Sequence, residues 1–133
     1  MSDGLLPLSQ HSTRIVGDVT YHDYEGIALD LDERERLTRD LGPTSRTMVL
    51  KNHGLLTLGS TVREAFMLMY NFEQSCRIQV DALAAGRDRV TLLSEATVER
   101  TREQVNRPRP ESERRDWPAL LRMLDRRQAD FRS

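Results

Sequence analysis

Apolar residues recur at three- and four-residue steps over one long stretch of the chain. Val62, Ala65, Phe66, Met69, Phe72, Cys76, Val80 and Leu83 form a stripe at helical spacing. The pattern predicts a helix over residues 62–85, stopped by Gly86. Thr61 stands three residues before Glu64, which is capping-box spacing at the helix start. Leu68 and Ile78 widen the stripe, and Met67 and Tyr70 leave little of its first half polar. A helix this apolar is expected to be covered on more than one side.

The pattern changes period upstream. Met48-Val49-Leu50-Lys51 reads as a buried strand and Leu55-Leu56-Thr57-Leu58 as a second one, with His53-Gly54 turning between them. Gly54 is the residue expected to allow the turn, and Gly59 ends the second run. Further strands are predicted at 5–8, 14–16 and 19–21. Pro7 confines the first of these to an edge or an extended segment. Gly17-Asp18 makes either a hairpin or a simple bend between the other two. Asp32 is placed as the N-cap of a helix that runs to about Leu41 and stops at Gly42-Pro43. After Gly86, Ser94 caps a helix over about 95–104. Pro108 and Pro110 break the chain, and residues 117–127 form a last helix. Strands and helices together predict an α/β protein with a small sheet covered by helices, in two parts: residues 1–86 and a helical, Arg-rich extension over 87–133.

The chain has 133 residues, 38% hydrophobic and 31% charged, with a net charge of −1. These values fit one globular domain and argue against wholesale disorder. The near-zero charge gives no case for nucleic acid as a partner. No apolar run approaches the ~20 residues of a membrane helix, and no basic region precedes Leu5 and Leu6, so neither membrane nor signal peptide is expected. The single Cys76 permits no internal disulfide. A cytoplasmic protein is the expectation. From Arg100 onward there are ten arginines against six acids. The acids interleave and aromatics are few, so this stretch reads as a solvated face.

The candidate chemistry is sparse. His53 lies at a strand end on a turn, where a side chain points into a cleft; taken alone, a histidine there is more often structural. Asp30, Asp32, Glu33 and Glu35 suit a helix N-terminus better than a cation site, because no calcium-loop spacing is present. Tyr24, Glu25, Asn52 and Gly54 are candidates for lining a cleft beside His53. No Gly-x-Ser-x-Gly elbow accompanies Ser9, His11 and Thr13, which excludes a serine hydrolase of that type.

Asn52-His53-Gly54-Leu55-Leu56-Thr57-Leu58-Gly59, followed by Thr61-Val62-Arg63-Glu64-Ala65-Phe66, resembles the second half of the class II aldolase/adducin domain. Leu5-Leu6-Pro7-Leu8-Ser9-Gln10 and Tyr21-His22-Asp23-Tyr24-Glu25-Gly26-Ile27-Ala28 resemble its adducin-like bacterial members. The resemblance implies a partial layered α/β/α domain. It implies that His53 is a zinc ligand position, the single one that this chain retains. Family enzymes also carry a phosphate loop, a catalytic Glu and a His-x-His pair. This chain has no His-x-His, and His11 and His22 do not match that pair. No catalytic residue is therefore assigned. The resemblance leaves two functional classes. One is a truncated or degenerate relative of zinc-dependent aldolases, which are carbon–carbon lyases acting on hydroxy-aldehydes or sugar phosphates, with Zn2+ bound weakly or not at all by this chain alone. The other is an adducin-like, non-catalytic protein-binding module, associated with actin or the cytoskeleton. A homo-oligomer, or a complementing N-terminal half, is the expected partner.

Overall fold

The computed structural model describes residues 3–26, 32–107, 115–128 and 130–131. Asp30, Pro108 and Pro110, and the Ile27-Ala28 end of the second resembling segment, lie outside these.

Three strands form one sheet in the order β1-β2-β3: β1 is Val19–His22, β2 Thr47–Leu50 and β3 Gly54–Thr57. β1 and β2 are parallel, with Val19 opposite Thr47 and His22 opposite Leu50. The parallel pairing requires a crossover, and helix α1, Asp32–Leu41, supplies it. β2 and β3 form an antiparallel hairpin, with Leu50 opposite Gly54. Alternation along the strands sends two sets of side chains to opposite faces. Tyr21, Val49 and Leu55 share one face. His22, Met48 and Leu56 share the other.

Helix α2, Val62–Leu83, covers the first face. Phe72 is fully buried there with Leu5 and Ile15, and Val49, Leu55, Leu68 and Cys76 pack around them. Helix α1 lies against β1 on the second face, where Asp40 meets His22 and Met48 is almost completely buried. The result is a three-layered α/β/α arrangement around a small sheet. Helices α3, Glu95–Asn106, and α4, Asp116–Arg127, follow. α3 packs against a short 3-10 turn, Ser12–Arg14, and Arg102 reaches back to Asp18 at 2.6 Å.

Several local expectations are corrected. Residues 5–8 and 14–16 are not strands. Around the second, the chain forms the 3-10 turn because Ser12 Oγ takes the amides of Leu8 and Ser9 and donates to the Ser9 carbonyl, which bends the backbone locally. Residues 5–8 are held by a side chain instead of a neighbouring strand. The buried Gln79 accepts from the Leu6 amide at 2.7 Å and donates to the Gly4 carbonyl at 2.7 Å. Asp32 is the first residue of α1 instead of its cap. α2 ends at Leu83, two residues early, with Gly86 at φ +105° beyond it.

The capping box of α2 is present in altered form. Thr61 Oγ1 accepts from the Glu64 amide, while the Glu64 carboxylate takes the Ser60 amide and hydroxyl in place of the Thr61 amide. Gly59 is required just before it, because a Cβ there would collide with the Ala65 amide nitrogen. The buried face of α2 is also rotated from the apolar stripe. Phe72, Ser75 and Gln79 are its buried residues, while Val62, Phe66 and Val80 are 78%, 46% and 57% exposed. Hydrophobicity alone does not separate a core face from an outer one when the buried face carries satisfied polar groups.

Candidate functional site

The β2–β3 hairpin turns through Lys51, Asn52 and His53. The His53 amide donates to the Leu50 carbonyl at 3.0 Å, closing a four-residue turn. The positive φ of this turn falls on its third residue, Asn52, at +57°, the position that takes it in type II turns. Gly54, expected in that role, is instead the first residue of β3. Asn tolerates the left-handed region better than most residues, which explains its place beside His53.

The turn is tied to the chain leaving β1. The Lys51 amide donates to the His22 carbonyl at 2.9 Å, and Lys51 Nζ lies 2.5 Å from Asp23 Oδ1. His53 is exposed at the tip. Its ring has no hydrogen-bond or ion-pair partner among the described residues. A cleft of about 640 Å³ opens beside the turn, lined by Leu5, Tyr21, Val49, Leu55, Lys51 and Asn52. Asn52 thus faces the cleft. His53 itself, expected to point into a cleft, is not among its lining residues, nor are Gly54, Tyr24 and Glu25; Tyr24 is half exposed, and Glu25 holds Arg36 on α1 at 2.5 Å. Cys76 also lines the cleft. Burial pushes its thiol pKa up, which leaves little thiolate for chemistry.

The other two histidines are engaged elsewhere. His22 is buried on the α1 side of the sheet, with Nδ1 2.7 Å from Asp40 Oδ2. A carboxylate only accepts, so Nδ1 carries the proton. This bond is the main cause of the lowered Asp40 pKa. His22 Nε2 is buried without a partner among the described residues. His11 Nδ1 meets Asn71 Oδ1 at 3.1 Å, and the Asn71 amide nitrogen is fixed by the Met67 carbonyl. Sequence reasoning missed Asp40 and Gln79. Gln79 alone left a signal, as a polar residue among apolar helix positions.

Zinc in a catalytic site takes three protein ligands. Among the described residues, no three His, Cys, Asp or Glu side chains come close enough to hold a metal ion. The described residues by themselves therefore do not supply the three ligands of a catalytic zinc ion. Among the described residues, no helix is long and apolar enough to cross a membrane.

A layered α/β/α fold with an exposed histidine on an Asn-His-Gly hairpin defines a recognisable class. The family described as "Class II Aldolase and Adducin N-terminal domain" matches residues 1–80. The chain belongs to the class II aldolase/adducin family. A crystal structure of an aldolase II superfamily protein from Pseudomonas syringae is 43% identical, with a TM-score of 0.90, over 100% of this chain and 53% of that one. A Caulobacter vibrioides protein bearing a class 2 aldolase name is 45% identical over 124 residues, 93% of this chain and 48% of that protein. Mouse alpha-adducin is 37% identical over 136 residues, 94% of this chain and 18% of adducin. The chain spans about half the length of the two bacterial relatives.

Proposed function

We propose that this chain is a degenerate relative of the zinc-dependent aldolases, presenting one imidazole of a metal site and having no lyase turnover of its own. The observation that carries this reading is the setting of His53: exposed on a fixed turn, with no group of three potential metal ligands around it among the described residues. One imidazole leaves both affinity and water activation inadequate. In this reading the further ligands and the proton-moving carboxylate come from residues outside this chain. A solved L-fuculose 1-phosphate aldolase from Glaciozyma antarctica is 28% identical, with a TM-score of 0.63, over 75% of this chain and 36% of that one. This favours a hydroxy-aldehyde or sugar phosphate as the substrate of an assembled protein. The test is a lyase assay of the chain with added zinc and phosphorylated or plain hydroxy-aldehydes. No turnover is expected, and turnover lost in His53→Ala would overturn the reading.

An adducin-like binding role is favoured by a separate observation. Val62, Phe66 and Tyr70 stand at four-residue steps on α2, each 46% exposed or more. They form an apolar strip on the outer side of the helix. A second copy of the chain, or a complementing half-domain, is the partner this strip suits, in a cytoplasmic protein. Actin or another cytoskeletal protein is the other partner that an adducin-like module would have. Sedimentation of wild type against Phe66→Ser distinguishes the two: a wild-type dimer lost in the variant supports the role, and a compact monomer in both counts against it.

A further inference from the structure

We propose that a second cleft, at the opposite end of β2 from His53, binds a small, multiply charged oxyanion of the phosphate class. This cleft has a volume of about 470 Å³ and lies where β2 and α2 begin. Arg14, Arg46 and Arg63 line it, together with Thr44. Three guanidiniums around one space form a charge arrangement that suits an anion, since each presents planar N–H donors matched to phosphate oxygens.

Two of the three donors are incompletely used. Arg63 donates through one terminal nitrogen to Asp116 at 2.8 Å, and its Nε is buried without a partner among the described residues. A buried, unpaired guanidinium N–H calls for an acceptor. Arg14 has no ion-pair partner among the described residues and is exposed at the mouth. Arg46 pairs with Glu64 in a half-exposed bridge. Exposed bridges of that kind contribute little, so an incoming dianion can share or take the guanidinium at small cost.

Three carboxylates, Asp18, Glu64 and Asp116, line the same cleft and match its three guanidiniums in number. Asp18 is held by Arg102, Glu64 by Ser60 and Arg46, and Asp116 by Arg63 and the Trp117 amide. Two of these cations are Arg46 and Arg63 themselves and the third, Arg102, lies outside the lining, so Arg14 is the lining guanidinium left without an ion pair among the described residues. The cleft volume lies within the range of small-molecule sites. The site is separate from the His53 turn and does not depend on the proposed aldolase descent.

Trp117, the only tryptophan, reports on the cleft. Its ring meets Phe66 edge to face at 5.7 Å, and Asp116 beside it holds Arg63. The experiment titrates the full chain with inorganic phosphate, at ionic strength held constant with chloride, and follows Trp117 emission. A saturable change is expected. Arg14→Gln should weaken it about tenfold, the usual loss of one charge-assisted contact. Arg63→Gln should weaken it at least as much. Arg14 is exposed and unpaired, so its variant keeps the fold even where Arg63→Gln does not. No saturable change beyond the chloride control, or equal affinity in Arg14→Gln, would overturn the proposal. Tighter binding of malonate than of phosphate would overturn the assignment to the phosphate class.

Discussion

His22 Nδ1 on β1 donates to Asp40 Oδ2 on α1 across 2.7 Å, joining the sheet to the helix that covers its second face. The bond lowers the Asp40 pKa below its ordinary value of 3.8. Glu64, bonded mainly by Ser60, and Asp116, bonded mainly by Arg63, are lowered too. A carboxylate whose pKa is lower folded than unfolded stabilises the fold above its unfolded pKa. That stability is lost as pH falls through the lower, folded value. The chain is therefore expected to lose stability from about pH 4 downward. Asp40→Asn should narrow its stability deficit against wild type between pH 7 and pH 3, measured by denaturant unfolding at both.

Gln79 staples the N-terminal segment to α2. Gln79→Ala strands the Leu6 amide and the Gly4 carbonyl in a buried setting and opens a cavity. A loss of about 2–4 kcal/mol is expected in urea unfolding. The Leu6 amide should also lose hydrogen-exchange protection. An unchanged midpoint would remove the staple from the account.

The hairpin and the long helix were legible in the sequence, because period and capping residues act locally. Thr61 and Glu64 mark the start of α2 whatever packs on it. The Asn-His-Gly run marked the turn, although the strain sits on Asn52 and not on Gly54. The segments at 5–8 and 14–16 were not legible. Their conformation depends on Gln79, more than seventy residues away, and on hydroxyl bonds of Ser12 that compete with pairing. The site was legible only as one residue. What surrounds His53 is set by the β1 exit and by Lys51–Asp23, which no local pattern encodes.

Asn52 carries the turn that presents His53. Asn52→Gly should leave stability about unchanged. Asn52→Val should cost about 1–2 kcal/mol, since a β-branched residue resists positive φ. Thermal unfolding of the two variants checks the order, and equal values would mean that the turn is not held at Asn52.

Thr61→Ala removes the acceptor for the Glu64 amide at the start of α2. The expected loss is about 1 kcal/mol in denaturant unfolding. Glu64 still holds Ser60, so the helix start is weakened and not abolished.

The central claim is that His53 stands alone as a metal ligand. Zinc retained by the chain after exhaustive dialysis, measured by metal analysis for wild type and His53→Ala, tests it most directly. The account predicts far less than one zinc per chain in wild type and no difference in the variant. One zinc per wild-type chain, lost in His53→Ala, would contradict it.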